Sequence, residues 1–289
     1  MKILVIGGAG YIGSNLLKKL SKNKNYILTS LDNYFTGTST NHIEGINYVY
    51  GNSWEIANLQ KHDIVFHFGE YSRVVPSFKD VLYLYKSNLY GTSKVIEQCK
   101  KWNAKLIYSA SSSKFGNNEN LSPYSWVKSK MVELIKNYSK WFKINYEICY
   151  FYNVYGKNHI STGNYATVIG IFEKQYNEQK PLTVVYDGKQ TRQFTHIDDI
   201  INALELILTQ NKNHEWYLTA EKNYKIIDVA RMFSDNIIMI PEKKGERYGV
   251  YEIKNDTKKI LNWKTNHTLE NYIEKFKNGK RQEKITNKD

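Results

Sequence analysis

The stretch KILVIGGAGYIGS, residues 2–14, decides how the rest of the chain is read. After Lys2 the four residues Ile3, Leu4, Val5 and Ile6 are a continuous apolar run, which suits a strand buried on both faces of a parallel sheet. Three glycines at a spacing of three follow at Gly7, Gly10 and Gly13, and Gly8, Gly10 and Gly13 give a second, overlapping GxGxxG match. Glycine there permits a tight turn and lets backbone N–H groups approach a pyrophosphate at the N-terminus of the next helix. The turn residues Gly7, Gly10, Tyr11, Ile12 and Gly13 are therefore candidates for holding a dinucleotide.

Further apolar runs start at Tyr26 (YILTSLD), Ile46 (INYVYG), Asp63 (DIVFHFG), Lys105 (KLIYSA) and Tyr146 (YEICYFYNVYG), with helical stretches between them, including a long one from Val81 to Trp102. Strands alternating with helices predict an α/β protein with a Rossmann-type doubly wound parallel sheet. Asp32 closes the second strand, where a carboxylate binds the adenosine ribose hydroxyls and repels a 2′-phosphate; this favours NAD over NADP. Asn33 follows it. After Gly156 the alternation loosens. The reading is a first domain over 1–156 with a returning strand and helix near 193–210, a smaller C-terminal α/β substrate-binding lobe over 157–275, and a polar tail over 276–289 that frays.

Composition narrows the partners. The formal charge is +13, from 41 Lys and Arg against 28 Asp and Glu. The lysines are scattered and accompany abundant Asn and Tyr, so codon bias explains them better than a nucleic-acid surface. No apolar run approaches the roughly 18 residues that span a membrane, and Met1 leads straight into a strand rather than a leader. The two cysteines, Cys99 and Cys149, fall in a helical pattern and a strand, as buried thiols of a cytoplasmic protein do. His67 lies in a strand and His196 heads a helix, so no metal is expected.

Tyr124 and Lys128 are four apart and Pro123 precedes them. Proline suits the first turn of a helix, and a spacing of four puts both side chains on one face. A nearby ammonium and a pyridinium would both favour the phenolate, making the tyrosine a competent base for alcohol oxidation.

Taken in order, GGAGYIGS, LDNYFTG, FHFG, NLYGTSKVIE, YSAS with YSWVK, YFYNVYG and DGKQTRQFTHIDDI resemble the signatures of the extended short-chain dehydrogenase/reductase family. The nearest group is its nucleotide-sugar epimerases and dehydratases, which include UDP-glucose and UDP-N-acetylglucosamine 4-epimerases. The resemblance runs from residue 2 to about Trp263. It implies that Ser111 relays a proton between the sugar and Tyr124, and that Lys128 also binds the nicotinamide ribose. It places Gly69 and Asn88 beside the cofactor, and Asn153 and Arg192 on the diphosphate. Lys243 stands near a position where relatives have arginine, and Arg247 can substitute for it. Where relatives often have alanine, this chain has Glu70, which is expected to face the sugar. Asn52 stands where relatives often place an acid against adenine.

Dehydratases of this group have Asp and Glu after the Ser111 position, and the decarboxylases have a Glu at the second of those sites. This chain has Ser112 and Ser113, which are candidates either to line the substrate pocket or to serve only the turn they stand in. The resemblance therefore favours oxidation at the sugar C4 and re-reduction, a 4-epimerase. A net C4 dehydrogenase or ketoreductase is the alternative. The expected partner is a nucleotide diphospho-sugar, bound by a homodimer joined through the helices at Val81 and Tyr124. Only thirteen positions separate Ser111 from Tyr124; relatives carry a longer loop here.

Overall fold

The computed structural model describes every residue except Asn117, Lys243, Glu246, Arg247, Val250, Glu252 and 287–289, and gives no side chains for 280–286. The chain forms two compact units. The first comprises Met1–Phe151, Ile201–Leu218 and Lys254–Trp263, and the second Tyr152–Ile200, Thr219–Ile253 and Lys264–Asp289.

Seven parallel strands build the first unit: β1 (Lys2–Ile6), β2 (Ile27–Asp32), β3 (Asn47–Tyr50), β4 (Ile64–His67), β5 (Lys105–Ser111), β6 (Tyr146–Phe151) and β10 (Glu215–Leu218). Their order in the sheet is β10-β6-β5-β4-β1-β2-β3. The order reverses at β1, which has β2 on one side and β4 on the other. A crevice for a ligand opens beyond the carboxyl ends of the strands at such a switch point. All six runs read as strands in the sequence are strands here. Their apolar residues explain it: Ile3, Leu4, Val5, Val65, Phe66, Leu106, Ile107 and Ile148 are fully buried, as strands covered on both faces must be.

Helix α1 (Tyr11–Leu20) follows β1 directly. The long helical segment is interrupted: α2 (Val81–Leu84) passes into a π-helical turn over Tyr85–Tyr90 and then into α3 (Gly91–Trp102). Helix α4 (Pro123–Phe142) packs on β5; Ser122 caps it by accepting from the Ser125 N–H, and Lys143 ends it in the left-handed conformation. Glu147, in the middle of β6, is buried and accepts from Trp216 Nε1 at 2.7 Å and from the N–H groups of Lys212 at 2.8 Å and His214 at 3.2 Å. These bonds fasten β10 beside β6.

The second unit contains a sheet of three strands, β7 (Asn153–Tyr155), β9 (Thr191–His196) and β11 (Asn223–Lys225), with β9 in the middle. A parallel pair joins β8 (Leu182–Val185) and β12 (Ile237–Ile240). Helices α5 (Val168–Asn177), α7 (Ile226–Phe233) and α9 (Leu269–Thr286) share a core of Phe172, Phe233, Val229, Leu182 and Ile273.

The division differs from the sequence reading in three ways. YEICYFYNVYG is two strands, and the chain changes units after Phe151 rather than Gly156. The returning segment is 201–218 with 254–263, because the strand in QFTH pairs with β7 and β11 of the second unit. The polar tail is helical to Thr286, as the end of α9. Among the described residues no helix is long and apolar enough to cross a membrane.

Candidate active site

At the end of β1 the glycine turn closes tightly on itself. A methyl group at Gly13 would lie 2.2 Å from the Gly7 carbonyl oxygen, and one at Gly69, after β4, would lie 2.8 Å from Ile6 Cγ2. Only glycine lets these segments meet, which leaves the start of α1 as an open cradle of backbone N–H groups. Tyr11 and Ile12 begin that helix. Asp32 accepts from the N–H groups of Ala9 and Tyr34, both at 2.8 Å, so it braces the turn. Asn33 donates to Asn52 Oδ1 at 3.0 Å and to the Tyr83 hydroxyl at 3.3 Å. Asn52 also donates to Glu55, and so the pair ties together the ends of β2 and β3. Glycine cradle, helix start and the Asp32 carboxylate together fit a dinucleotide such as NAD.

Asn88 has a structural task. Lying in the π-helical turn and fully buried, it donates to the Tyr71 carbonyl at 2.9 Å and accepts from the Tyr71 N–H at 2.8 Å. Its amide thus clamps the segment that leaves β4. This holds the backbone that follows Gly69 and Glu70.

Tyr124 and Lys128 occupy one face of α4, one turn apart and both buried. Ser111 ends β5; its hydroxyl donates to Ser113 Oγ at 3.0 Å and accepts from the Ser113 N–H at 3.2 Å, capping the short turn over Ser112–Lys114. The Tyr124 N–H donates to Ser77 Oγ at 3.4 Å. Strand β5 and the helix packed on it therefore carry all three candidate catalytic residues, together with Ser112 and Ser113.

Glu70 departs from expectation. Its carboxylate is turned to Lys128 rather than held for a sugar. Glu70 Oε2 pairs with Lys128 Nζ, and Oε1 accepts from Thr92 Oγ1 at 2.7 Å and from the Tyr108 hydroxyl at 3.1 Å. Lys128 Nζ also donates to the Ser109 carbonyl and to the Tyr108 hydroxyl, the latter at 3.3 Å. Tyr108 is held well above its ordinary pKa by burial first and then by the Glu70 charge, so it stays a neutral donor. Burial lowers His67 to about 4, and its Nε2 lies 2.9 Å from Thr92 Oγ1. Sequence reasoning left this cluster out. Its signal was a charged residue, Glu70, directly after a buried strand.

The proposed phosphate-side residues lie in the second unit. Asn153 on β7 donates to the Gln193 carbonyl at 2.9 Å. Arg192 on the adjacent β9 donates to the Thr191 carbonyl at 2.8 Å and to Gln190 Oε1 at 3.3 Å. Lys243 and Arg247 fall outside the described residues. His196 accepts from the Asp198 N–H at 3.2 Å, in keeping with a helix-capping role, and its ring stacks on His267 with centroids 4.2 Å apart. Ligand atoms of His196, Asp198 and His267 lie within 4.8 Å of one another, a grouping the sequence spacing did not reveal.

Comparison with known proteins agrees with this fold. Residues 3–219 match the model of the NAD dependent epimerase/dehydratase family. A putative UDP-glucose 4-epimerase of Methanocaldococcus jannaschii is 30% identical, covering 92% of this chain and 99% of that one. A UDP-N-acetyl-alpha-D-glucosaminuronate decarboxylase of Bacillus cytotoxicus is 27% identical, covering 88% of each. Among solved structures, a UDP-glucuronic acid 4-epimerase of Bacillus cereus in complex with UDP-glucuronic acid and NAD superposes with a TM-score of 0.82 at 26% identity, covering 95% of this chain and 97% of that one. A UDP-glucose 4-epimerase of Thermotoga maritima shares the fold with a TM-score of 0.88 at 22% identity, covering 94% and 96%. With the glycine cradle, the Tyr124–Lys128 face and a family match over most of its length, this chain belongs to the NAD-dependent epimerase/dehydratase family.

Proposed function

We propose that the protein is a nucleotide-sugar 4-epimerase that oxidises C4 of a nucleotide hexose, UDP-hexose first, and reduces it again from the other face. The observation that carries this reading is the pairing of Tyr124 and Lys128 on the buried face of α4, against the strand that ends in Ser111. Bound NAD supplies the two-electron acceptor and donor. The protein's own residues handle the proton: Ser111 receives it from the C4 hydroxyl and passes it to Tyr124, and it returns along the same path to the 4-keto oxygen. Lys128 lies one helical turn from Tyr124 on the same buried face of α4.

The absence of carboxylates at Ser112 and Ser113 supports epimerisation over elimination or decarboxylation. The oxygens of Glu70, the acid paired with Lys128, are committed to Lys128, Thr92 and Tyr108. On this reading Asn153, Arg192, Lys243 and Arg247 serve the diphosphate.

A cytoplasmic homodimer belongs to the same proposal. Leu82 is 84% exposed, and Tyr85, Tyr90, Trp126 and Trp141 are also exposed on α2, the π turn and α4. Such a run of apolar side chains favours a partner surface. Light scattering on the eluted protein tests it.

The functional test is incubation with UDP-glucose, UDP-N-acetylglucosamine and GDP-sugars, read by product NMR and by absorbance of the reduced nicotinamide. A C4 epimer without accumulating NADH is expected. Sustained NADH formation would overturn the epimerase in favour of a net dehydrogenase.

A further inference from the structure

We propose that Glu70 is a positioning residue for Lys128: its carboxylate, itself held by Thr92 and Tyr108, fixes the Lys128 ammonium one helical turn from Tyr124. This rests on the reading of Tyr124 and Lys128 as the reacting pair.

Donor and acceptor counting carries the argument. An ammonium has three N–H donors. Lys128 has three acceptors on the protein: Glu70 Oε2, the Ser109 carbonyl and the Tyr108 hydroxyl. All three directions are therefore set by protein atoms, and any ribose contact of Lys128 would require one of these bonds to be exchanged. The neighbours fix the direction of every proton. Tyr108 donates to Glu70 and so accepts from Lys128. Thr92 donates to Glu70 and so accepts at its oxygen from His67 Nε2–H. That makes His67 the neutral Nε2–H tautomer, in line with its lowered pKa, and leaves its buried Nδ1 as a lone pair without a partner. Elements β4, α3, β5 and α4 all contribute, and three of the hydrogen bonds, from Lys128, Thr92 and Tyr108, converge on the Glu70 carboxylate.

Stability alone does not explain the pair. The two side chains are 5% and 2% exposed for Lys128 and Glu70. Burying an ion pair this deeply gains little or nothing over a packed apolar pair. Its place beside Tyr124 gives it a use: a lysine that cannot swing away presents a fixed charge to the phenol. The ammonium also lies 4.6 Å from the centroid of the Tyr108 ring, which limits its movement on that side.

Two measurements test this. The first needs no substrate. In protein labelled with 15N at lysine Nζ, a protected NH3+ signal is expected that is missing in Lys128→Met. It should shift or vanish in Glu70→Gln and persist in Glu133→Gln, which breaks only the exposed pair with Lys130. A Lys128 signal that is unprotected in the wild type, or unmoved by Glu70→Gln, overturns the proposal whether or not the enzyme is an epimerase. The second is kinetic. Glu70→Gln is expected to lower kcat at least about tenfold with KM changed less than about threefold, and to cause no further loss in a Lys128→Met background. An unchanged kcat, or the same fractional loss in both backgrounds, would show that Glu70 does not act through Lys128. Should Glu70→Gln prove unfolded, protection of the wild-type ammonium decides alone: its presence supports the proposal and its absence overturns it.

Discussion

Gly13 sits directly beneath the carbonyl of Gly7, so closely that a methyl group on it would lie 2.2 Å from that oxygen. The contact joins the first turn of α1 to the end of β1, and the dinucleotide cradle depends on it. In Gly13→Ala the backbone must move apart. Overpacking of this kind costs about 1–3 kcal/mol, and the amides would no longer converge. The expected result is a lower Tm together with loss of most of the Tm increase that added NAD produces in the wild type. Thermal unfolding with and without NAD checks both.

Replacing Tyr124 by Phe removes one oxygen from a buried face of α4 and leaves the helix intact. The variant should fold normally and bind NAD. Turnover should fall by about 10²–10⁴, the usual contribution of a positioned acid–base group. Full activity in Tyr124→Phe would remove the mechanism proposed above.

His67 makes stability depend on pH. Its folded pKa of about 4 is below the ordinary 6.5 because burial penalises the charged ring. The folded state therefore holds fewer protons than the unfolded chain between those values. The associated stability is present above pH 6.5 and is lost as pH falls toward 4, by on the order of 3 kcal/mol. Urea unfolding at pH 7 and pH 5 should show the loss, and His67→Gln should flatten this part of the profile.

Glu147→Ala should be among the more damaging substitutions in the first unit. It strands the Trp216 indole N–H and the backbone N–H groups of Lys212 and His214. The indole donor is buried, and orphaning it costs about 1–3 kcal/mol; the two backbone donors are only partly buried and add less. A drop in urea midpoint at unchanged m-value is expected, measured against Glu133→Ala as an exposed control.

The sheet and the cofactor turn were legible because they are written in local code. KILVIG and KLIYSA are mostly apolar behind a leading lysine, and the glycines of GGAGYIGS fall where a tight turn needs them. Tyr124 and Lys128 were legible for the same reason, since a spacing of four on a helix headed by Pro123 is a local fact. Glu70 was found as an oddity but misassigned. Its partners Thr92, Tyr108 and Lys128 come from three other elements, and no periodicity announces a contact between positions 58 residues apart. Strand β10 was missed because EWYL is only four residues long, and its place in the sheet depends on a carboxylate in β6. The boundary at Tyr152 was hidden in one strand-like, aromatic-rich run, YFYNVY, whose two halves join different sheets.

The chain passes between its two units five times, and the strand that borders β6 arrives only after residue 214. Cutting at residue 156 would not liberate a miniature cofactor-binding protein. It would uncover the edge of β6 opposite β5, with Glu147 facing no indole and a row of unpaired peptide groups ready to recruit a neighbouring molecule. During synthesis the nascent sheet must wait for its last strand, and until that strand emerges from the ribosome β6 is where self-association would begin.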